Sequence, residues 1–166
     1  MTAPDEKVVR PTLSKIRESI FNTLFSMTNF GEKSFLDMFA GSGIMGLEAL
    51  SRGFESVLAL EKNPQVARVL KANYTNIKLK PNVIIGDSLK VLPRISDKFD
   101  VIYLDPPYFS GIYEESLSKI KEASSLKEDG IIILEHVTEI SWLDLGYKLI
   151  KQKKYADKFV TFLELN

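Results

Sequence analysis

The segment Leu104-Asp105-Pro106-Pro107-Tyr108 sets a carboxylate, two prolines and an aromatic ring side by side. Proline donates no N–H and confines the residue before it to extended backbone, so Asp-Pro-Pro is a stiff stretch that displays carbonyl acceptors. The Asp105 carboxylate and the Pro106 carbonyl can together accept both hydrogens of a planar NH₂ group. Pro107 stiffens the exit, and Tyr108 offers a face to the attached ring, where stacking of a base is worth roughly 1–3 kcal/mol. The chemistry this suits is methylation of an amino group conjugated to a ring. Its lone pair is delocalised, and accepting both N–H bonds helps localise it. Holding nitrogen, methyl carbon and leaving sulfur in line can supply up to roughly 7–11 kcal/mol. No metal is needed.

A donor must sit beside that segment, and Asp37-Met-Phe-Ala-Gly41-Ser-Gly43-Ile-Met-Gly46 is where it is expected. Glycines in a G-x-G-x-x-G pattern let a strand-to-helix turn bring backbone against a ligand, and the helix start offers free N–H groups. A dinucleotide would use the same loop. Asp37 weighs against it, because a carboxylate near a pyrophosphate is repulsive in a partly desolvated cleft, whereas a cationic amino group is attracted. S-adenosylmethionine carries such a group beside its sulfonium. Phe39, Ala40, Gly41, Ser42 and Gly43 are then expected around it. Glu61, twenty positions after Gly41, should accept from ribose hydroxyls, with Lys62 beside it. Asp87 should accept from the adenine amino group while the Ser88 N–H donates to a ring nitrogen.

These groups need strands that end where they stand. β-rich apolar runs occur at Phe35–Phe39, Val57–Leu60, Val83–Ile85, Phe99–Leu104 and Ile131–Leu134, then Lys148–Ile150 and Phe159–Leu163. Helical patterns lie between the first five, at Ile44–Ser51, Pro64–Tyr74, Ser88–Leu92 and Tyr113–Ser124, with Asn63-Pro64 as a start signal. Alternation of this kind predicts an α/β, Rossmann-like, mostly parallel seven-stranded sheet. The link Lys154–Lys158 is too short for a crossover helix, so the last two strands should form an antiparallel hairpin. Leu13, Ile16, Ile20, Leu24 and Met27 predict an N-terminal amphipathic helix over Ser14–Met27. Phe39 and Tyr103 are expected to pack inside the sheet, and His136 to be a satisfied loop residue. One domain over 1–166 is expected, with residues 1–34 as leading segment and helix and 35–166 as catalytic core.

Composition removes other classes. With no cysteine among 166 residues, disulfide frameworks, zinc clusters and thiolate nucleophiles are excluded, cytosine-C5 methylation among them. No apolar run approaches the roughly 20 residues of a membrane span, and MTAPDEKVVRP lacks a signal-peptide core, so a cytoplasmic protein is expected. The net charge is zero, but Lys62 to Asp100 carries eight Lys/Arg against three Asp, and Tyr147 to Lys158 five Lys against one Asp. Lys78, Lys80 and the Lys151 to Lys154 run are candidate phosphate contacts.

The stretches RPT (Arg10 to Thr12), IRESIFNTL (Ile16 to Leu24), DMFAGSGIMGLEALSRG (Asp37 to Gly53), LEKN (Leu60 to Asn63), FDVIYLDPPY (Phe99 to Tyr108) and LEH (Leu134 to His136) resemble the RsmD-type 16S ribosomal RNA guanine-N2 methyltransferases. The likeness runs from Arg10 through most of the chain. DPPY alone is shared with amino-methylating enzymes acting on DNA, RNA and protein; the other stretches together are more specific. The resemblance implies a Rossmann-like fold, S-adenosylmethionine as donor, and methylation of a guanine amino group in 16S rRNA or a small-subunit assembly particle; a monomer that uses no membrane or metal is expected. Arg10, Thr12 and Arg17 match the leading motif and are expected to close over cofactor or RNA, although an ion pair holding the first helix accounts for the arginines as well. One departure is clear: only nine residues precede Arg10, where such proteins usually carry a basic, glycine-containing strand. The chain is therefore expected to be truncated or to lack a surface that helps hold RNA.

Three rivals remain. An adenine-N6 methyltransferase acting on DNA needs a duplex-recognition segment for which the chain has no room, and extruding a base favours an unpaired target in RNA. An NAD-dependent oxidoreductase gives DPPY no role. A non-catalytic RNA-binding module would use the basic stretches alone.

Overall fold

The computed structural model describes residues 6–107 and 111–166, with side chains from residue 13 onward. Strands β1 (Ser34–Asp37), β2 (Ser56–Glu61), β3 (Val83–Ile85), β4 (Phe99–Leu104), β5 (Leu126–His136), β6 (Tyr147–Tyr155) and β7 (Lys158–Leu165) form one sheet in the order β3-β2-β1-β4-β5-β7-β6. Pairings among the first five are parallel; β7 runs antiparallel to β5, and β6 antiparallel to β7. Helices α1 (Glu6–Met27), α2 (Ile44–Ser51), α3 (Pro64–Asn76), α4 (Ser88–Val91) and α5 (Ile112–Glu122) flank it. No helix among the described residues is long and apolar enough to cross a membrane.

The expected doubly wound, mostly parallel sheet is thus present. Chain order reverses between the neighbours β1 and β4, and ligands in such sheets bind outside the carboxyl ends of the strands at that switch point. Several boundaries differ from the sequence reading, among them that of β5, which runs from Leu126 to His136 rather than from Ile131 to Leu134. α1 begins at Glu6 rather than Ser14. β1 ends at Asp37, which leaves Phe39 in the following turn rather than inside the sheet. The hairpin link is the pair Ala156-Asp157 instead of five residues, because ladder pairing continues to Tyr155 and Lys158.

Period-2 alternation divides the core. Leu36, Ile102, Leu104, Ile132 and Leu134 pack with Leu117 and Ile120 of α5. Phe35, Val101, Tyr103, Ile131, Ile133 and Phe162 pack with Ile16, Ile20, Phe21 and Leu24 of α1 and with Ala49 of α2. Both faces are covered, which is why β4 and β5 carry nearly continuous apolar runs. At the amino end of the sheet Asp100 pins β1 to β4: it accepts from Ser34 N at 2.9 Å and Lys127 Nζ at 2.9 Å. Burial pushes its carboxyl up, but these bonds more than offset that and hold it below its ordinary range.

Candidate active site

The same alternation fixes which charges meet. Asp37 pairs in register with Tyr103, Tyr103 with Ile133, and Glu135 with Val160. Phe35, Tyr103, Ile133 and Val160 belong to the α1 face, so two-residue steps carry Asp37, Asp105, Glu135 and Lys158 to that face, at the carboxyl end of the parallel strands. All four line one cleft of about 470 Å³ with Tyr103, Arg17 and the loop residues Phe39, Ala40, Gly41 and Ser42.

A second cleft, of about 690 Å³, opens on the other side of Phe39, Gly41 and Asp105. Glu61, Lys62, Asp87, Ser88 and Pro107 line it, together with Leu60, Leu89 and Ile112. The predicted residues therefore fall into two groups meeting at Asp105. Pro106 is buried and Pro107 exposed. Tyr108 and the side chains of Arg10 and Thr12 lie outside the described residues. Arg17 lines the first cleft, with Nε 3.6 Å from Glu48 Oε2.

The glycine loop is held from both ends. Gly41 (φ 56°) donates its N–H to Glu61 Oε2 at 2.8 Å, and the other oxygen, Oε1, accepts from Asn63 N at 3.0 Å. Glu61 thus spends part of its accepting capacity tying the loop to β2. Asn63 caps α3 as its sequence suggests, with Oδ1 2.9 Å from Gln65 N. Gly43, at φ 83°, precedes α2, and a Cβ there would stand 2.6 Å from Leu70 Cγ. Gly43→Ala should therefore combine left-handed strain with overpacking and cost about 2–4 kcal/mol; urea unfolding of the variant checks this, and an unchanged midpoint would count against it. Asp87 caps α4 through a bond from Leu89 N to Oδ1 at 3.0 Å, while buried Ser88 donates its hydroxyl to the Met38 carbonyl and so fastens α4 to the end of β1.

The carboxyls carry the electrostatic character of the site. Asp37 is 1% exposed, and its Oδ1 has no hydrogen-bond partner among the described residues. Burial first, then the nearby charge of Asp105, push its carboxyl up to about 8. Burial and the Glu135 carboxylate raise Asp105 to about 7, against the opposing pull of Lys158. A buried carboxyl oxygen beside a glycine loop lacks a partner, and a cationic amino group that draws out the charged form of Asp37 would supply the missing donor.

A family described as Conserved hypothetical protein 95 matches residues 1–164. The chain belongs to that family. Relatives include the Ribosomal RNA small subunit methyltransferase D of Haemophilus influenzae, 38% identical over 132 residues that cover 76% of this chain and 67% of the relative. A proposed rRNA methyltransferase of Bacillus subtilis is 34% identical over 150 residues, 87% of this chain and 80% of the relative. Among solved structures, a proposed methylase from Haemophilus influenzae superposes with TM-score 0.79 at 31% identity, covering 90% of this chain and 88% of the other.

This family member holds three groups in the acidic cleft that the sequence reading gave no role in the site. Tyr103 does pack in the core, but its hydroxyl donates to Glu135 Oε2. Lys158 Nζ lies 3.6 Å from Glu135 Oε1 and 4.0 Å from Asp105 Oδ1. The available signal was Glu135 itself, an acid directly after the apolar run Ile131–Leu134. His136 points to the opposite face. It is the last residue of β5 rather than part of a loop, 2% exposed, with Nδ1 2.7 Å from Thr138 O and Nε2 2.6 Å from Thr161 Oγ1. Both ring nitrogens are engaged, as the structural reading of this residue expected.

Proposed function

We propose that this protein is an S-adenosylmethionine-dependent methyltransferase that methylates the exocyclic N2 amino group of one guanine in 16S rRNA or a small-subunit assembly particle. The observation that carries the reading is the meeting of the two clefts at Asp105, one lined by Phe39, Gly41, Glu61 and Asp87, the other by Asp37, Glu135 and the loop residues Ala40 to Ser42. Kinship with relatives named as small-subunit rRNA methyltransferases supports the class of substrate.

The unpartnered Asp37 oxygen fits the donor's amino group, Glu61 and Lys62 its ribose, and Asp87 and the Ser88 N–H its adenine. The donor supplies a methyl group on a sulfonium. Phe39 and the loop residues Ala40 to Gly43 hold it against Asp105. The Asp105 carboxylate and Pro106 carbonyl accept the two hydrogens of the target amino group and turn its lone pair toward the methyl carbon. Tyr108 is assigned the stacking contact with the guanine, and Arg10, Thr12 and Arg17 contacts with cofactor or RNA. The enzyme works as a metal-independent cytoplasmic monomer of one domain.

Labelled S-adenosylmethionine incubated with unmodified small subunits, free ribosomal RNA and DNA, followed by nucleoside analysis, tests this. N2-methylguanosine from ribosomal RNA or particles is expected. Label recovered as N6-methyladenine in DNA sinks the assignment.

A further inference from the structure

Glu135 is an acid whose side chain is only 7% exposed, at the end of the apolar strand β5. Contacts from two strands hold it: the Tyr103 hydroxyl donates to Oε2, and Lys158 Nζ stands 3.6 Å from Oε1. Tyr103, Glu135 and Lys158 come from β4, β5 and β7, and all line the cleft that contains Asp37 and Asp105. Burying an acid next to another acid is costly, and the Tyr103 hydroxyl and the Lys158 ammonium offset part of that cost.

We propose that Glu135 is a positioning residue for methyl transfer: anchored by Tyr103 and Lys158, it holds a second carboxyl against Asp105 so that Asp105 takes up the proton lost by the methylated nitrogen. This rests on the assignment of Asp105 to the acceptor amine. In the step, the nitrogen lone pair forms the N–C bond while the S–C pair returns to sulfur, converting sulfonium to neutral thioether. The nitrogen, now cationic, passes one proton to Asp105 and keeps the N–H electron pair, and Asp105 becomes a neutral acid adjoining Glu135.

An isolated carboxylate is a weak base; burial and Glu135 make Asp105 a stronger one, with Lys158 limiting the effect. Among the described residues, the other charged or titratable groups facing this position are Asp37 from β1, Tyr103 from β4 and Arg17 from α1 in the acidic cleft. Glu61 from β2, Lys62 and Asp87 from the loops after β2 and β3, and Glu115 from α5 face it across the other cleft.

The test is the pH profile of kcat/KM for methylation of small-subunit RNA by the wild type, Glu135→Gln, Lys158→Met and Asp105→Asn. Activity of the wild type should rise with pH through about 7. Glu135→Gln should move that acid limb down by about one pH unit, and Lys158→Met should move it up, since one removes a like charge and the other an opposite charge. The Glu135→Gln plateau should fall about tenfold as the weaker base takes the proton less readily. A merely structural Glu135 lowers activity at every pH with the limb unmoved, and that result overturns the proposal. Should Glu135→Gln fail to fold, the Lys158→Met shift decides. If the wild type methylates no RNA, or Asp105→Asn is fully active, the reading of Asp105 fails and this inference with it; if Asp105 is required but neither variant moves the limb, this inference alone fails.

Discussion

Asp105→Ala is expected to slow methyl transfer by about 10²–10³-fold, the range seen when one preorganised polar group that acts on the reacting centre is removed. The carboxylate stands at the junction of the two clefts, so its loss removes one of two acceptors for the target amino group and leaves Pro106 alone to orient it. Affinity for S-adenosylmethionine should change far less, because Asp37, the glycine loop, Glu61 and Asp87 are untouched. The variant should also be at least as stable as the parent. Burial and the Glu135 carboxylate raise Asp105 well above its ordinary range, so the free carboxyl is held at a cost that alanine removes. Single-turnover methylation, calorimetric binding and a thermal melt on one preparation separate these effects. Near-parental turnover by Asp105→Ala would remove Asp105 from the chemistry.

Asp37→Asn should pull stability and binding in opposite directions. Its carboxyl has an ordinary value of 3.8 and is pushed to about 8 in the folded protein. The folded state therefore binds the extra proton, and stability falls as pH rises from about 4 toward about 8. At pH 7 the penalty is on the order of a few kcal/mol. An amide of the same shape carries no charge but still places a polar group where Oδ1 lacks a partner, so Asp37→Asn should gain about 1–3 kcal/mol in urea unfolding at pH 7. Binding responds the other way. At pH 7 Asp37 is mostly protonated, and a cationic amino group draws out its charged form, so close to one proton should be released per ligand bound. Calorimetry in buffers of different ionisation enthalpy measures that proton. Asp37→Asn should release none and lose about 2–5 kcal/mol of affinity, the cost of truncating one partner of a buried charged pair. Proton release unchanged in the variant would assign the proton to another group.

Much of this was legible in the residues. Glu61 and Asp105 stood out as strand ends because each directly follows an apolar run, and alternation with helices gave the parallel sheet; Asp37 lies inside a run that continues to Phe39, so the end of β1 was not marked. Asn63-Pro64 announced α3 because its cap is local chemistry. Asp87 reads either as a ligand group or as the cap of the following helix, and it does cap α4. Two things depended on tertiary pairing and were not legible. Glu61 looked like a ligand group, yet it also ties down the glycine loop by accepting from the Gly41 N–H. Lys158 looked like one lysine of a basic run; only the antiparallel return of β7 beside β5 brings it to Glu135 and Asp105. Phe39 was read as a core strand residue because it continues the apolar run of β1, and the turn at residues 38–39 leaves it half-buried at both clefts.

The place of Lys158 at the start of the last strand bears on how the site comes into being. During synthesis Asp37, Asp105 and Glu135 all emerge before Lys158, so a nascent chain that has already wound its parallel sheet holds mutually repelling acids without that counter-charge. The closing hairpin is then the step that neutralises the cleft as well as the one that covers the edge of β5. A protein clipped in the turn at Ala156-Asp157 would keep its glycine loop and its Asp-Pro-Pro segment and still lack a balanced site.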